Sequence, residues 1–390
     1  RQSKSLQVCF GHPRSNVRRK PHAGGSETLT IKLPPLGGSC LHLFIVGEEL
    51  FSTAVFDVNK VQVRDLGLKL KTKDIFSPKR SFGPGQSIAA IDQMVFSACY
   101  SSEEGSIDVY NRVSKTCLNP LKGHAETVTA IVATEWTSAS GEKKKLLISG
   151  SEDKTIKIWD LGSMTCIKTL EGHTEKIKRF TVAGNKFFSG SADMTIIAWD
   201  LQSFQQLRTL SGHTGQINSL VAGKKNLFSA SSDHSILAWD IDSLDQVAVM
   251  KSHTGPVTAL AIEVDFLFSG SLDHNIKIWN INNFNCCATL HDENNWAATL
   301  AVKNGKLYSD STCSGNIIVR DFTVSHRALL KDIAAVLREK IFNHKNALEM
   351  LDRIPQSLKN SICADEKGWR NASDLEKAEM IELYLKKIIT

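Results

Sequence analysis

The sequence predicts an all-β chain built from one repeated four-stranded sheet, followed by a helical extension. Three observations carry this. Trp159, Trp199, Trp239 and Trp279 stand 40 residues apart, three times running. Each closes a segment that opens on a histidine behind Gly or Ser; residues 172–200 read GHTEKIKRFTVAGNKFFSGSADMTIIAWD. Past residue 322 the apolar spacing changes from that of strands to that of helices. A fixed period in this range is a repeat signature, and it governs how every residue inside it is read.

Within residues 172–200, Ile177, Phe180 and Val182 lead a first strand, and Gly184-Asn185 is a turn signal. Residues 186–191 form a second strand, 192–195 a tight polar turn, and 196–199 a third strand rich in β-branched side chains. Residues 206–210 supply a fourth. Copies begin at Gly123, Gly212 and Ser252, and the first of these is nine residues longer. The extra residues, 134–145 (TEWTSASGEKKK), read as a polar loop between strands one and two.

With its Gly-His start and Trp-Asp end, this frame resembles the WD40-repeat family. The resemblance implies an all-β, seven-bladed WD40 β-propeller over residues 27–322, with a C-terminal helical extension over 323–390. Small sheets stacked radially bury their faces and leave only short edges. In the family His, Asp, a strand-two Ser and Trp form a hydrogen-bonded chain, expected in the order His to Asp to Ser to Trp. The implied structural sets are His124/Asp153/Trp159, His173/Asp193/Trp199, His213/Asp233/Trp239 and His253/Asp273/Trp279. The serine is either Ser149, Ser189, Ser229 and Ser269 or Ser151, Ser191, Ser231 and Ser271. Both have the right strand parity, so the sequence leaves the choice open.

The remaining blades follow from register alone. Residues 41–65 form a degenerate first repeat, with Arg64 at the Trp place. Residues 87–111 form a second, with Tyr110 there, and 295–322 a seventh, with Arg320. Residues 28–33 alternate and take the family's role of a strand that closes the last blade. Residues 1–26 read as a disordered basic segment. In the extension, Leu329 through Leu351 follow helical spacing up to Pro355, and Ser373-x-x-Glu376 is a capping box for a second helix.

Composition narrows the function. The net charge is +6, and residues 1–37 hold seven Lys/Arg against Glu27, leaving 40 of each sign elsewhere. The basic lead suits an import signal or a nucleic-acid contact, or a merely solvated tail. Nine scattered cysteines without a CxxC pair read as reduced thiols of an intracellular protein, cytoplasmic or nuclear. No apolar run is long enough for a membrane span. Cys9, His12 and His22 are too few for a zinc site, so no metal and no cofactor is expected. The chain opens on Arg1 rather than Met, as a fragment or a processed form would.

Ser, His and Asp recur together four times, whereas a catalytic site occurs once, so the sets read as structure. The chain is therefore expected to be a non-catalytic interaction scaffold. In the family, partners dock on the face bearing the Gly-His loops. The residues placed there are Thr129, Lys176, Lys178, Gln216, Asn218 and Thr258 beside the first strands, Glu152 and Leu272 before the turn Asp, and Trp296. Trp296 is expected across the channel from Lys176 and Lys178, with Glu152 rejecting a second negative charge. The partner expected is a protein or peptide offering an acidic or phosphorylated group. The repeat style resembles the WD-repeat halves of TRAF-type and F-box ubiquitin-ligase proteins, which makes substrate recruitment one alternative. An RNA-associated role through the basic lead is the other.

Overall fold

The structure is a computed structural model that describes residues 16–21, 27–32, 40–54, 61–66, 72–76, 87–98, 105–137, 141, 143–291, 296–310 and 317–321. Seven antiparallel sheets follow one another around a ring. Blade four shows the pattern: Ile177–Ala183, Lys186–Ser191, Ile196–Asp200 and Gln206–Leu210, paired in chain order from the inside outward. The alternation is physical. Phe187 and Phe188 point to opposite faces of a strand buried on both sides, so both are fully covered.

The core is divided among the blade boundaries. Leu146, Ile148, Ile156 and Ile158 of blade three meet Ile177, Phe187, Ile197 and Trp199 of blade four. Equivalent clusters fill every boundary, including the one where Leu43 and Leu50 of blade one meet Tyr308 and Val319 of blade seven. Each large apolar side chain buried this way contributes about 1.5–3 kcal/mol. No single sheet could secure that alone, which is why the ring must close.

Closure uses the start of the chain. Glu27–Lys32 pairs antiparallel with Ile317–Asp321 and so adds a fourth strand to blade seven. Asn16–Pro21 pairs in turn with Glu27–Lys32. This last strand lies inside the segment expected to be disordered, and the expectation is corrected there: the alternating ETLTIK strand presents an edge on which a further strand can form hydrogen bonds. Across the seam, the backbone N–H of Leu43 donates to Thr299 Oγ1 at 3.1 Å.

The glycine of strand two has a packing cause. A Cβ on Gly150 would lie 2.4 Å from Cγ2 of Ile177 on the next blade, and one on Gly190 would lie 2.6 Å from Cγ2 of Ile217. The neighbouring first strand takes the space that a side chain would need.

The insertion in blade three is also corrected. Rather than a loop, most of it lengthens the hairpin, with Thr134 opposite Leu146 and Thr137 opposite Lys143. Trp136 explains the extension, because its ring stacks on Phe204 of blade four at 6.3 Å. Lys145 adds an ion pair with Asp92 of blade two. The C-terminal helices, and Cys9, His12 and His22, lie outside the described residues. Among the described residues no helix is long and apolar enough to cross a membrane.

Candidate docking face

The four complete repeats each hold a buried polar chain that fixes the Gly-His loop. In blade four, His173 Nδ1 lies 2.8 Å from Asp193 Oδ2, and His173 Nε2 lies 2.8 Å from Ser189 Oγ. Trp199 Nε1 donates to the same Ser189 Oγ at 2.9 Å. The same contacts recur at 2.7–2.9 Å in blades three, five and six. The order is therefore Asp to His to Ser to Trp, not His to Asp to Ser to Trp, because the two ring nitrogens of the histidine point at different partners. An ionised Asp requires the Nδ1–H tautomer, so the Ser hydroxyl donates to Nε2 and accepts from the indole.

The structure also resolves which serine serves. Ser149, Ser189, Ser229 and Ser269 belong to the chain. Ser151, Ser191, Ser231 and Ser271 instead accept the turn Asp backbone N–H and donate to carbonyls of the Gly-His loop. Parity is the same, but only the first serine lies beside the indole.

The linkage Asp–His–Ser is that of a hydrolytic triad. Here the serines are wholly buried, and each oxygen is already held by a tryptophan N–H. No reacting carbonyl could reach them. Burial would raise the Asp193 carboxyl, but bonds from His173 and Thr195 outweigh it and hold it well below the usual range. Asp153 behaves alike with His124 and Thr155, and Asp233 is held at about 2 by Ser235, Thr214 and His213 against the same burial. Burial pulls the His213 and His253 imidazoles down despite their aspartates.

The degenerate blades improvise. In blade seven Arg320 replaces the indole and donates to Ser309 Oγ at 2.8 Å. Asp310 stands where the complete repeats have the strand-two Gly or Ala and accepts the backbone N–H groups of Ala298 and Thr299 at 2.9 and 3.0 Å. Its burial outweighs those bonds and pushes the carboxyl up to about 7.

Above these chains, one backbone bond per blade joins the Gly-His loop to the turn. Glu152 N donates to Thr127 O, Ala192 N to Lys176 O, Ser232 N to Gln216 O and Leu272 N to Pro256 O. This sets Leu272 beside Pro256 and Gln216 beside Ser232. Glu152 pairs with Lys176 at 3.0 Å across blades three and four, so it neutralises the lysine instead of standing as a separate repelling charge.

The residue after each first-strand apolar position reaches the next blade. Thr129 donates to Ile177 O, Lys178 Nζ to Asn218 Oδ1 at 3.1 Å, Asn218 Nδ2 to Val257 O at 3.0 Å, and Thr258 to Ala297 O at 2.8 Å. These four form a belt of ties around the channel mouth. Burial, with Arg179 and Lys176 beside it, brings the Lys178 ammonium down to about 8.

Trp296 is 38 % exposed and Leu272 42 % exposed, so both present large apolar area on this face. The Trp296 ring lies 6.1 Å from that of His274, an exposed residue of the blade-six turn. The structure thus brings His274 and Trp296 together at blades six and seven, with Leu272 in the same blade-six turn as His274, and Lys176 with Glu152 and Lys178 with Asn218 at blades three to five. His274 escaped the sequence argument, although it directly follows the turn Asp. Arg179 escaped too, although five other blades carry a small or hydroxyl residue at its first-strand position: Ser87, Ala130, Ser219, Ala259 and Thr299.

Four segments, residues 115–160, 164–200, 204–240 and 244–280, match the family described as WD domain, G-beta repeat. The crystal structure of the computationally designed Ika8 protein is similar in fold, with a TM-score of 0.56 and 21 % identity over 74 % of this chain and 98 % of that one. As many as 1656 solved chains match, so shape alone does not narrow the function. No curated protein matches the chain.

Proposed function

The chain belongs to the WD40-repeat propeller family, whose fold typically serves as a protein-interaction scaffold, and on that premise we propose that it is a non-catalytic scaffold docking a protein or peptide on the face of the Gly-His loops. The observation that carries the reading is the exposed aromatic pair of His274 and Trp296. Leu272, His274 and Trp296 offer an apolar and aromatic surface, and Lys178 offers a cation whose hydrogen bond goes to a neutral amide. A partner with an apolar anchor and an acidic or phosphorylated group satisfies both. The free thiols of Cys117, Cys166, Cys286 and Cys287 fit a reducing compartment.

The test is capture of the partner on the full chain, then titration against wild type, Trp296→Ala and the rim variant Val249→Asp. Loss of roughly 2 kcal/mol with Trp296→Ala and none with Val249→Asp supports the reading. Normal binding by Trp296→Ala, with loss in the rim variant, overturns it. Whether the captured protein is a ligase substrate or an RNA-bound factor identifies the pathway.

A further inference from the structure

The inner strands of all seven blades enclose a channel of about 320 Å³. Ser87, Ala130, Arg179, Ser219, Ala259 and Thr299 occupy matching positions on six of its strands and line it. Five of the six are small or carry a hydroxyl. Arg179 is the one ionisable residue among the described residues that line the channel.

Arg179 is held at one end only. Its Nη1 donates to Lys178 O at 2.7 Å, and it has no carboxylate partner among the described residues. The side chain keeps some accessible area, but protein surrounds it, and burial pulls its basicity down. Accessibility and enclosure agree once the solvent reaching it is recognised as that of the channel. A guanidinium stays charged there and keeps N–H groups in a planar fork suited to an oxyanion. Leaving such a charge unmatched is costly, and an anion relieves the cost.

The surroundings favour the same occupant. Ser219 Oγ accepts Leu260 N, and Thr299 Oγ1 accepts Leu43 N, both at 3.1 Å. Each hydroxyl therefore retains its own hydrogen to donate. Among the described residues no acidic side chain lines the channel to compete.

We propose that the channel is an oxyanion site in which Arg179 receives one carboxylate or phosphate group. It depends on the channel alone, so it stands or fails apart from the docking face. The anion is free in solution or borne by an acidic chain entering the mouth, and two probes separate these sources.

The experiment titrates inorganic phosphate and, separately, a hexaglutamate peptide into the full chain at constant ionic strength. It follows the melting temperature and the Nε–H resonance of Arg179. Wild type should show a saturable rise in melting temperature and a saturable Arg179 shift with at least one probe. Phosphate alone marks a free anion, and the peptide alone marks a chain-borne carboxylate. Arg179→Ala should weaken the effective probe by about tenfold or more, and Arg179→Lys by less, because it keeps charge without the fork. Absence of saturation with both probes, or equal binding by a folded Arg179→Ala or Arg179→Lys protein and wild type, overturns the site.

Discussion

The Lys178 ammonium donates to Oδ1 of Asn218 at 3.1 Å, across the boundary between blades four and five. Asn218 passes the tie onward through Nδ2 to Val257 O and Ser232 Oγ, each at 3.0 Å. Two residues expected only to meet a partner thus also hold neighbouring blades together. Asn218→Ala should therefore destabilise the fold by about 1–3 kcal/mol, since it strands partners of a half-buried amide. Urea unfolding measures it; an unchanged midpoint would mean that water replaces the amide without cost.

His213→Ala removes the centre of a polar chain, leaving Ser229 Oγ and Asp233 Oδ2 without their imidazole. A loss of about 1–3 kcal/mol is expected. Partner affinity, corrected for the folded fraction, should not change. Unaltered stability with lost affinity would turn a structural histidine into a binding one.

The same chains set an acid response. His213 and His253 have folded-state basicity below their ordinary value. The unfolded chain therefore binds more protons, and their contribution, fully present above about pH 6.5, is lost as pH falls below it. Asp153, Asp193 and Asp233 are depressed too, so a second loss begins below about pH 4. Asp310 has the opposite sign. Its carboxyl is raised to about 7, so it favours folding at low pH and loses that contribution as pH rises from about 4 toward neutrality. Thermal melts of wild type and Asp310→Asn across this range should diverge in favour of the variant as pH rises. Parallel curves would contradict the assignment.

Much of this was legible in the repeats because period and chemistry coincide there. Trp159, Trp199, Trp239 and Trp279 fix the third strands, and the histidines and aspartates fix the loops. Two serines of equal parity could not be separated, because the choice depends on which one the indole reaches in space. Arg320 donating to Ser309 was hidden because a guanidinium resembles an indole only in its donor. The long hairpin of blade three was hidden because its support, Phe204, lies on another blade. Of the expected docking residues, register led to two exposed apolar side chains, Leu272 and Trp296, while the belt from Thr129 to Thr258 depends on carbonyls of the next blade. Arg179 required comparison of one position across all blades rather than along one.

The most direct measurement is backbone hydrogen exchange of the full chain with and without its captured protein partner. Docking on the Gly-His face predicts slowed exchange at residues 152–153, 176–178, 272–274 and 296–298, with the outer strands Thr165–Leu170, Gln206–Leu210 and Gln246–Lys251 unchanged. Protection confined to those outer strands, with the loops exchanging as in the free chain, would contradict the account.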